Sequence, residues 1–351
     1  MDLYDAGHNE TKTRRPLIKL RHHTIDLQLR HTFRLARGDS DSRRVLVVEI
    51  EDDGLIGRGE AAPIARYGQD AESAARAAET MVARIDDPRA FESAAARAAV
   101  AGEPAAEAAV DMALRDLAGK RLGAPLYELM GIDPSSMPVT SFTIGMDTPE
   151  VVEQKVREAA GFKVLKVKMG SEDDRRLLET VRSVTDCPVR VDANEGWVLE
   201  DALAHLEWLQ ELGVELVEQP LPADQHAEMC ELKKQSPLPL IADESVARAE
   251  DIPHLAEAFD GINIKLMKCG GLGEALRMIH VARAHGLKIM LGCMVESSMA
   301  ITAAAHIAPL VDYADLDGNL LITNDPFIGA EVSEGKLVLP IEPGLGVRDR
   351  R

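Results

Sequence analysis

Short apolar runs recur along the second half of the chain, and each is followed by an amphipathic segment of about 10 to 15 residues. This alternation is typical of βα units that build a parallel sheet. The predicted strands cover residues 139–144, 164–169, 189–191, 216–217, 240–242, 262–266, 289–292 and 313–316. They end near residues 144, 168, 192, 218, 243, 265, 292 and 317, at intervals of 22 to 27 residues. Eight strands at a nearly constant interval predict a closed barrel.

The N-terminal part of the chain has a different pattern. Residues 17–57 contain two apolar runs with strand character, which predict a small antiparallel meander closing at the turn of residues 52–54. Residues 71–131 are rich in alanine and predict helices at 71–85, 88–101 and 104–122. Because alanine faces allow close helix packing and carry no reactive group, we interpret these helices as structural.

Two polar loops are predicted in the N-terminal part. The first covers residues 32–40 and contains Arg34 and Arg37, and the second covers residues 59–68 and contains Arg66 and Tyr67. Arginine in a loop is usually solvated. Paired loops on a small domain can also form a lid over the mouth of a barrel, so both interpretations stay open.

The domain organisation follows from these patterns. We predict a disordered tail over residues 1–16, a capping domain over 17–133, a barrel over 134–322 and a C-terminal segment over 323–351. The last segment returns to a β pattern near residues 336–340, and we expect it to dock back on the N-terminal domain. A chain of 351 residues is long enough for a barrel core plus a smaller second domain.

Composition and charge narrow the range of partners. The chain has 40 Lys and Arg residues against 59 Asp and Glu, a formal charge of −19. Nucleic acids and anionic membranes require basic surfaces, so neither is an expected partner. The four cysteines show no metal-binding spacing, and the chain has no apolar run of signal-peptide or membrane-spanning character, so we expect reduced thiols and a cytoplasmic location. We also expect a homo-oligomer.

The second barrel strand carries two lysines, Lys166 and Lys168, near its end. Side chains alternate across a strand, so both lie on one face, which looks into the interior of a parallel barrel. Repulsion between two ammonium groups and loss of hydration both lower the pKa of a lysine, so one could act as a neutral base. The alternative is an edge strand with solvated lysines.

Three carboxylates stand at successive strand ends: Asp192, Glu218 and Asp243. Adjacent parallel strands bring their ends to one rim, where buried carboxylates without a cation would repel strongly. Oxygen ligands held on rigid strands suit a hard ion, so we predict a Mg²⁺ site, with Mn²⁺ as a possible substitute. Taken singly, each acidic residue could instead cap a helix, but three at one interval favour the metal.

Lys265 ends the sixth strand, on the opposite side of the predicted barrel from Lys168. A substrate carboxylate bound to the metal would place its α-carbon between these two lysines. One lysine could remove the α-proton from one face while the other returns a proton to the opposite face. The sequence therefore predicts a two-base 1,1-proton transfer, which is racemisation or epimerisation.

These motifs together resemble the enolase superfamily, within it the muconate-lactonizing-enzyme subgroup, and most closely the dipeptide epimerases. The resemblance extends from about residue 17 to residue 339. It rests on the lysine pair, the three carboxylates, the run at residues 263–271 and Asp315-Leu-Asp317 on the last strand. It implies an α/β fold, a modified (β/α)7β TIM-type barrel with an α+β capping domain, and a Mg²⁺-dependent isomerase.

The resemblance also implies how a dipeptide would be bound. Asp315 and Asp317 would face the substrate's free ammonium group, although Asp317 before Gly318 could simply form a turn. Arg37 or Arg34 in the lid could pair with a γ-carboxylate, as in the bacterial L-Ala-D/L-Glu epimerases. The remaining expected substrate-binding residues are Tyr67 in the second loop, Thr143 at the end of the first strand, and Glu296 and Ser298 after the seventh.

Three functions remain open at this point. The first is a dipeptide epimerase acting on L-Ala-D/L-Glu from murein peptides, with an N-acylamino acid racemase as a variant. The second is a lyase or cycloisomerase of the same subgroup, such as muconate cycloisomerase or o-succinylbenzoate synthase, whose substrates leave Asp315 and Asp317 without an ammonium partner. The third is a non-catalytic barrel, which has no use for two opposed lysines.

Overall fold

The computed structural model describes residues 18–35 and 38–351. The predicted tail over residues 1–16 and Arg37 lie outside this range. An antiparallel sheet in the order β1-β2-β3 opens the described chain, and helices pack on it. These elements are β1 (Lys19–Leu35), β2 (Gly38–Asp52), β3 (Leu55–Ala61), α1 (Ala71–Ala83), α2 (Phe91–Ala98), α3 (Pro104–Leu122) and α4 (Leu126–Leu129).

The first hairpin is longer than the sequence pattern predicts. Phe33 pairs with Ser40 and Arg34 with Asp39, so the loop predicted at residues 32–40 is wrong over most of its length. The ladder changes register between Gln28 and Phe33. Backbone hydrogen bonds hold a hairpin whatever its side chains are, which is why a polar stretch concealed these paired residues.

Helix α3 follows its predicted bounds and is buried between the sheet and the barrel. A side chain at Gly57 or Gly59 of β3 would lie 2.0 Å from a carbonyl oxygen of α3, so glycine is required for this close approach. On its other side, Asp111 accepts a hydrogen bond of 2.7 Å from the backbone nitrogen of Leu272 in the barrel. The glycines of β3 on one side and the hydrogen bond to Asp111 on the other therefore let one helix contact both units.

Eight parallel strands form the barrel in chain order, which confirms the predicted fold class. The strands are β4 (Phe142–Ile144), β5 (Leu165–Lys168), β6 (Val189–Asp192), β7 (Val214–Glu218), β8 (Leu240–Ala242), β9 (Gly261–Lys265), β10 (Lys288–Gly292) and β11 (Tyr313–Asp315). The last strand meets the start of the first through a parallel bridge between Thr140 and Ala314. The backbone nitrogen of Ser141 donates to the Ala314 oxygen at 3.1 Å and completes the contact.

Helices cover the outside of the barrel. They are α5 (Pro149–Glu158), α6 (Asp174–Val184), α7 (Leu199–Glu211), α8 (His226–Gln235), α9 (Ile252–Leu255), α10 (Leu266–Cys269), α11 (Leu272–Ala284) and α12 (Ser298–Ala305). Short 3₁₀ turns occur at Ala65–Tyr67, Pro88–Ala90, Pro134–Ser136, Ala249–Asp251, Ala308–Leu310 and Gly318–Leu320. No helix in the described part of the chain is long and apolar enough to cross a membrane.

The C-terminal segment forms short strands and packs against the N-terminal unit. Its strands are β12 (Phe327–Ile328), β13 (Glu331–Ser333), β14 (Lys336–Val338) and β15 (Arg348–Asp349). Asp349 pairs with Arg58 of β3 at 2.8 Å, and the backbone nitrogen of Leu345 donates to Asp116 of α3 at 2.9 Å. The end of the chain thus ties the barrel to the cap.

A buried carboxyl group connects the cap to α12. Glu60 of β3 has no exposed surface and accepts hydrogen bonds from the backbone nitrogen of Ser297, at 2.9 Å, and from its hydroxyl group. Burial raises the pKa of Glu60 to about 7, although the bonds from Ser297 oppose that shift. The folded protein therefore holds a proton on Glu60 over a pH range in which the unfolded chain has released it.

We predict that Glu60→Gln stabilises the protein at high pH. Between about pH 4.5 and 7 the folded state binds more protons than the unfolded state, so this group's contribution to the free energy of unfolding falls as pH rises. Glutamine keeps an acceptor for the Ser297 backbone nitrogen, can donate from its amide nitrogen to the Ser297 hydroxyl oxygen, and removes this loss, which amounts to about 3 kcal/mol at most for a shift of this size. Urea unfolding at pH 5 and pH 8 measures the effect. The exposed control Glu342→Gln should show no gain at pH 8, and an equal gain for both variants would contradict the prediction.

Candidate active site

The three predicted metal ligands meet at the C-terminal rim of the barrel. Asp192 ends β6, Glu218 ends β7 and Asp243 follows β8, so neighbouring strands deliver them to one point. Each is at most 3% exposed, and one oxygen from each lies within 4.8 Å of the others. The barrel strands are packed on both faces, and this packing restricts the carboxylate side chains to the interior of the rim.

Lys166 lies at the centre of these carboxylates. Its Nζ atom is 2.7 Å from Glu218 Oε2, 2.7 Å from Asp315 Oδ2 and 3.0 Å from Asp192 Oδ2. Burial alone would lower the pKa of Lys166, but the surrounding carboxylates outweigh burial and raise it well above the ordinary value. Attraction to these carboxylates, which the strand pattern alone did not reveal, therefore dominates over the expected lysine–lysine repulsion and keeps Lys166 charged.

Lys168 and Lys265 lie on opposite sides of the barrel. β5 and β9 are four strands apart in a barrel of eight, so the two lysines approach the cavity from opposite walls. Lys168 Nζ lies 2.6 Å from Asp192 Oδ2, and Lys265 Nζ lies 2.8 Å from Asp243 Oδ2. Each lysine is thus held beside one member of the carboxylate set.

The carboxylates differ in how well they are compensated. Burial raises the pKa of Asp192 and Asp243, but adjacent lysines outweigh it and hold both values below the ordinary range. Burial and the nearby Asp192 instead raise the pKa of Glu218 to about 7. Of the three, Glu218 is therefore the one whose charge the protein's own cations stabilise least.

The donor set fits a hard divalent cation. Besides the carboxylate oxygens, the side-chain oxygens of Asn194 and Asn263 are buried close by and accept no hydrogen bond within the described protein. Buried oxygens without a donor are costly unless a cation or water approaches them. An all-oxygen set with a carboxylate as poorly compensated as Glu218 is what Mg²⁺ or Mn²⁺ prefers.

Neighbouring side chains hold the carboxylates in position, and the sequence pattern gave them no role. Gln219 adopts a positive φ of 35° and accepts a hydrogen bond of 2.9 Å from the backbone nitrogen of Asp243. Asn263 donates to Glu218 Oε1 at 2.8 Å. Gly292 leaves room for Asn263, because an added Cβ would lie 2.6 Å from its side-chain oxygen. Polar residues beside strand ends are the signal that could have identified this group.

Lys268 of α10 is a further buried cation at the site. Its Nζ atom contacts both the side chain and the backbone oxygen of Asp243, and it also donates to the Val246 carbonyl at 3.1 Å. These contacts hold the loop after β8 against α10. Lys268 belongs to the motif at residues 263–271. The sequence pattern did not predict its contact with Asp243, because Lys268 lies in a helix after the strand and not at a strand end.

The two aspartates at the last strand have different surroundings. Asp315 pairs with Lys166 and accepts a hydrogen bond of 2.5 Å from the Ser141 hydroxyl group. Asp317 accepts one of 2.6 Å from the backbone nitrogen of Thr143. Burial and the adjacent Asp315 raise the pKa of Asp317 to about 6. Both line the cavity, but Asp315 is already compensated by a lysine.

A cavity of about 370 Å³ lies between the rim and the cap, a volume suited to a small ligand. Lys166, Lys168 and Lys265 line it together with Tyr67 and Thr143. Arg43 of β2 lines it as well and donates to Ser40 at 2.8 Å. Strand alternation places Arg43 on the face of Val47, which packs on Met299 of α12, so the pattern could have indicated its direction.

Two expected substrate-binding residues do not line the cavity. Residues 293–295 line it, but the chain then turns into α12, so Glu296 and Ser298 are not among its lining residues and their role in substrate binding stays a prediction. Glu296 accepts a bond of 2.8 Å from the backbone nitrogen of Met294, and Ser298 donates to Asp325 at 2.5 Å. Arg34 lies in β1 with only its backbone described, and Arg37 lies outside the described residues.

Comparison with known families agrees with this geometry. Residues 150–350 match the enolase C-terminal domain-like family. Residues 19–131 match the N-terminal domain of the mandelate racemase and muconate lactonizing enzyme family. The chain belongs to the enolase superfamily.

Relatives place this superfamily member among the dipeptide epimerases. The L-Ala-D/L-Glu epimerase of Bacteroides thetaiotaomicron is 45% identical, over 94% of this chain and 88% of the relative. The L-Ala-D/L-amino acid epimerase of Pedosphaera parvula is 42% identical, over 93% and 97%. The dipeptide epimerase of Enterococcus faecalis, solved with Mg and L-Leu-L-Tyr, superposes with a TM-score of 0.89 at 34% identity, over 95% and 99%. The expected enzyme class, an isomerase, is confirmed.

We predict that Lys166→Met destabilises this enolase-superfamily protein by about 3–5 kcal/mol, because it leaves buried carboxylates without their shared ammonium group. Millimolar Mg²⁺ should recover part of the loss, since an ion that binds the folded state stabilises it. Chemical unfolding with and without Mg²⁺ measures both effects. The exposed Lys163→Met, three residues away, is the control and should change stability by less than about 0.5 kcal/mol. Unchanged stability of Lys166→Met without Mg²⁺ would refute the compensation argument.

Proposed function

We propose that this protein is a Mg²⁺-dependent dipeptide epimerase that moves the α-proton of the C-terminal residue, with L-Ala-D/L-Glu as its substrate. The observation that carries the proposal is the pair of buried lysines on opposite walls of one cavity, each beside a carboxylate of the metal set. The substrate assignment is supported by the name of the 45% identical relative. An L-Ala-D/L-Glu substrate would suit a cytoplasmic role in the metabolism of murein peptides.

Asp192, Glu218 and Asp243 would hold the Mg²⁺ ion, and Mn²⁺ is expected to substitute. When bound, the metal supplies electrophilic stabilisation of the substrate carboxylate as negative charge develops on it. Lys166 adds a fixed positive charge beside Asp192 and Glu218 and favours the ionised form of both carboxylates. The chain thus provides an electrostatic environment that favours loss of the α-proton.

The lysines would act as two bases on opposite faces of the α-carbon. Lys168 takes the proton from the L epimer, and Lys265, as an ammonium group, donates one to the opposite face; the reverse reaction exchanges these roles. Opposed placement matters, because a single base on one face returns the proton to the side from which it came. Epimerisation therefore follows from the positions of β5 and β9.

Recognition of the dipeptide would use the part of the cavity formed by Asp317 and the first hairpin. Asp317 is the better partner for the substrate ammonium group, because Lys166 already compensates Asp315. Arg37 and Arg34 remain the predicted partners of a γ-carboxylate. Arg43, which lines the described cavity, adds a positive charge on the same hairpin. A second residue with an acidic side chain fits this distribution.

The lyase and cycloisomerase alternatives fit the site less well. Their substrates carry no ammonium group, and Asp317 would then face them as a buried acidic group without a counter-charge. An N-acylamino acid substrate has the same disadvantage. All these reactions would use related chemistry at the two lysines. The feature that distinguishes the epimerase from the alternatives is therefore the substrate group that pairs with Asp317.

The decisive experiment is α-proton exchange in D₂O with Mg²⁺ and a small L-Ala-L-Xaa library, followed by mass shift. We expect deuterium incorporation and epimerisation of L-Ala-L-Glu. Exchange confined to dipeptides with apolar or basic second residues would keep the chemistry and overturn the assignment of glutamate. Absence of exchange with every dipeptide would overturn the epimerase proposal.

Single lysine variants test the two-base arrangement. Lys168→Ala and Lys265→Ala should each lower epimerisation by at least about 10²- to 10⁴-fold, the usual contribution of a general acid or base. Each variant should still exchange the α-proton of one epimer, and the two variants should differ in which epimer that is. The exposed Lys163→Ala provides the control. If both variants exchanged the same epimer, the opposed roles would be wrong.

Asp317→Asn should raise the KM for L-Ala-L-Glu by about 10- to 100-fold, as expected for loss of a hydrogen bond between charged groups. Asparagine keeps an acceptor for the Thr143 backbone nitrogen, so local structure is preserved. The KM for N-acetyl-L-Ala-L-Glu, which lacks the ammonium group, should change little. Steady-state kinetics with both substrates measures the difference, and equal increases would contradict a role in ammonium binding.

A further inference from the structure

A second group of metal-binding side chains lies on the outer helical layer, separate from the barrel cavity. His226 and Cys230 belong to α8, and Glu257 follows α9. One donor atom from each lies within 4.8 Å of the others. We propose that these three residues bind a borderline-soft divalent cation of the Zn²⁺ class.

The helix geometry brings the first two donors together. His226 and Cys230 are four residues apart, so they occupy the same face of α8 on consecutive turns. His226 Nε2 lies 3.5 Å from Cys230 Sγ. Zinc bonds of about 2.3 Å to sulfur and 2.0 Å to nitrogen, at a tetrahedral angle, separate these atoms by about 3.5 Å. The pair already has the spacing that a shared ion requires.

The third donor comes from the turn after the neighbouring helix α9. Glu257 is exposed, so its carboxylate has room to rotate onto an ion held by α8. His254, three residues earlier on α9, stacks on the His226 ring with centroids 3.9 Å apart and planes 19° apart. This stacking orients the His226 ring, so we assign His254 a positioning role. Both helices thus contribute to one cluster, and the ion would join α8 to the end of α9.

The donor chemistry distinguishes this cluster from the barrel site. Sulfur and imidazole nitrogen favour zinc and related transition metals, whereas the oxygen-only set of the barrel favours Mg²⁺. Binding requires the Cys230 thiolate, so the thiol proton is released to solvent as the ion binds. A metal-free alternative exists, in which the Cys230 thiol simply donates a hydrogen bond to His226.

Cobalt spectroscopy on the full-length protein separates these alternatives. We expect Co²⁺, added to chelator-treated protein in excess Mg²⁺, to produce a thiolate-to-cobalt charge-transfer band in the near ultraviolet that saturates at one equivalent. Zn²⁺ should displace it. The band should be lost in Cys230→Ser and His226→Ala. Absence of the band in the parent protein would overturn the proposal.

Matched variants identify the thiolate and the site. Cys187→Ser removes another half-buried cysteine and should keep the band, and Asp243→Asn should also keep it because Asp243 belongs to the separate, all-carboxylate set of the barrel. A band that survives Cys230→Ser, or one that disappears in Asp243→Asn, would overturn the assignment. Zn²⁺ should raise the Tm of the parent protein but not of Cys230→Ser. Unchanged Mg²⁺-dependent activity of Cys230→Ser would show that this variant is folded.

Discussion

Mutual compensation of buried charges at the rim of the barrel is the constraint on which the structure depends. Five carboxyl groups meet four lysines there, with almost no exposure to solvent; they are Asp192, Glu218, Asp243, Asp315, Asp317, Lys166, Lys168, Lys265 and Lys268. Buried charges are tolerated only when they are paired and hydrogen-bonded. The excess of acid over base, and the raised pKa of Glu218, leave an electrostatic demand that a divalent cation would meet.

The barrel satisfies this constraint through its geometry. Parallel strands end at one rim, so the backbone itself brings the residues at the strand ends close together. Gln219 then fixes Asp243 by a hydrogen bond between neighbouring strand ends, and Asn263 of β9 fixes Glu218 of β7 across the intervening β8. Lys168 and Lys265 gain their opposed positions from the places of β5 and β9 in the barrel, which is the arrangement that the proposed two-base mechanism requires.

The cap completes the site from the other side. The first hairpin brings Arg43 to the cavity, and α3 contacts the sheet at Gly57 and Gly59 and the barrel through the hydrogen bond from Leu272 to Asp111. Glu60 joins β3 to the start of α12. Because the cap contributes part of the cavity wall, the proposed function separates substrate selection from the chemical step in space: the barrel would supply the acid and base groups, and the hairpin would contribute to the pocket for the second side chain.

The sequence by itself determined the barrel, the number of its strands and the residues at their ends, because each βα unit is a local pattern and parallel topology carries strand ends to one rim. It also predicted that Lys168 and Lys265 would oppose each other, since four strands separate them. Tertiary structure alone decided that Lys166 compensates Asp315, that β1 and β2 extend through a polar stretch, and that Glu296 and Ser298 turn away from the cavity. These outcomes depend on backbone pairing and on side-chain directions between residues far apart in the chain, which no local pattern records.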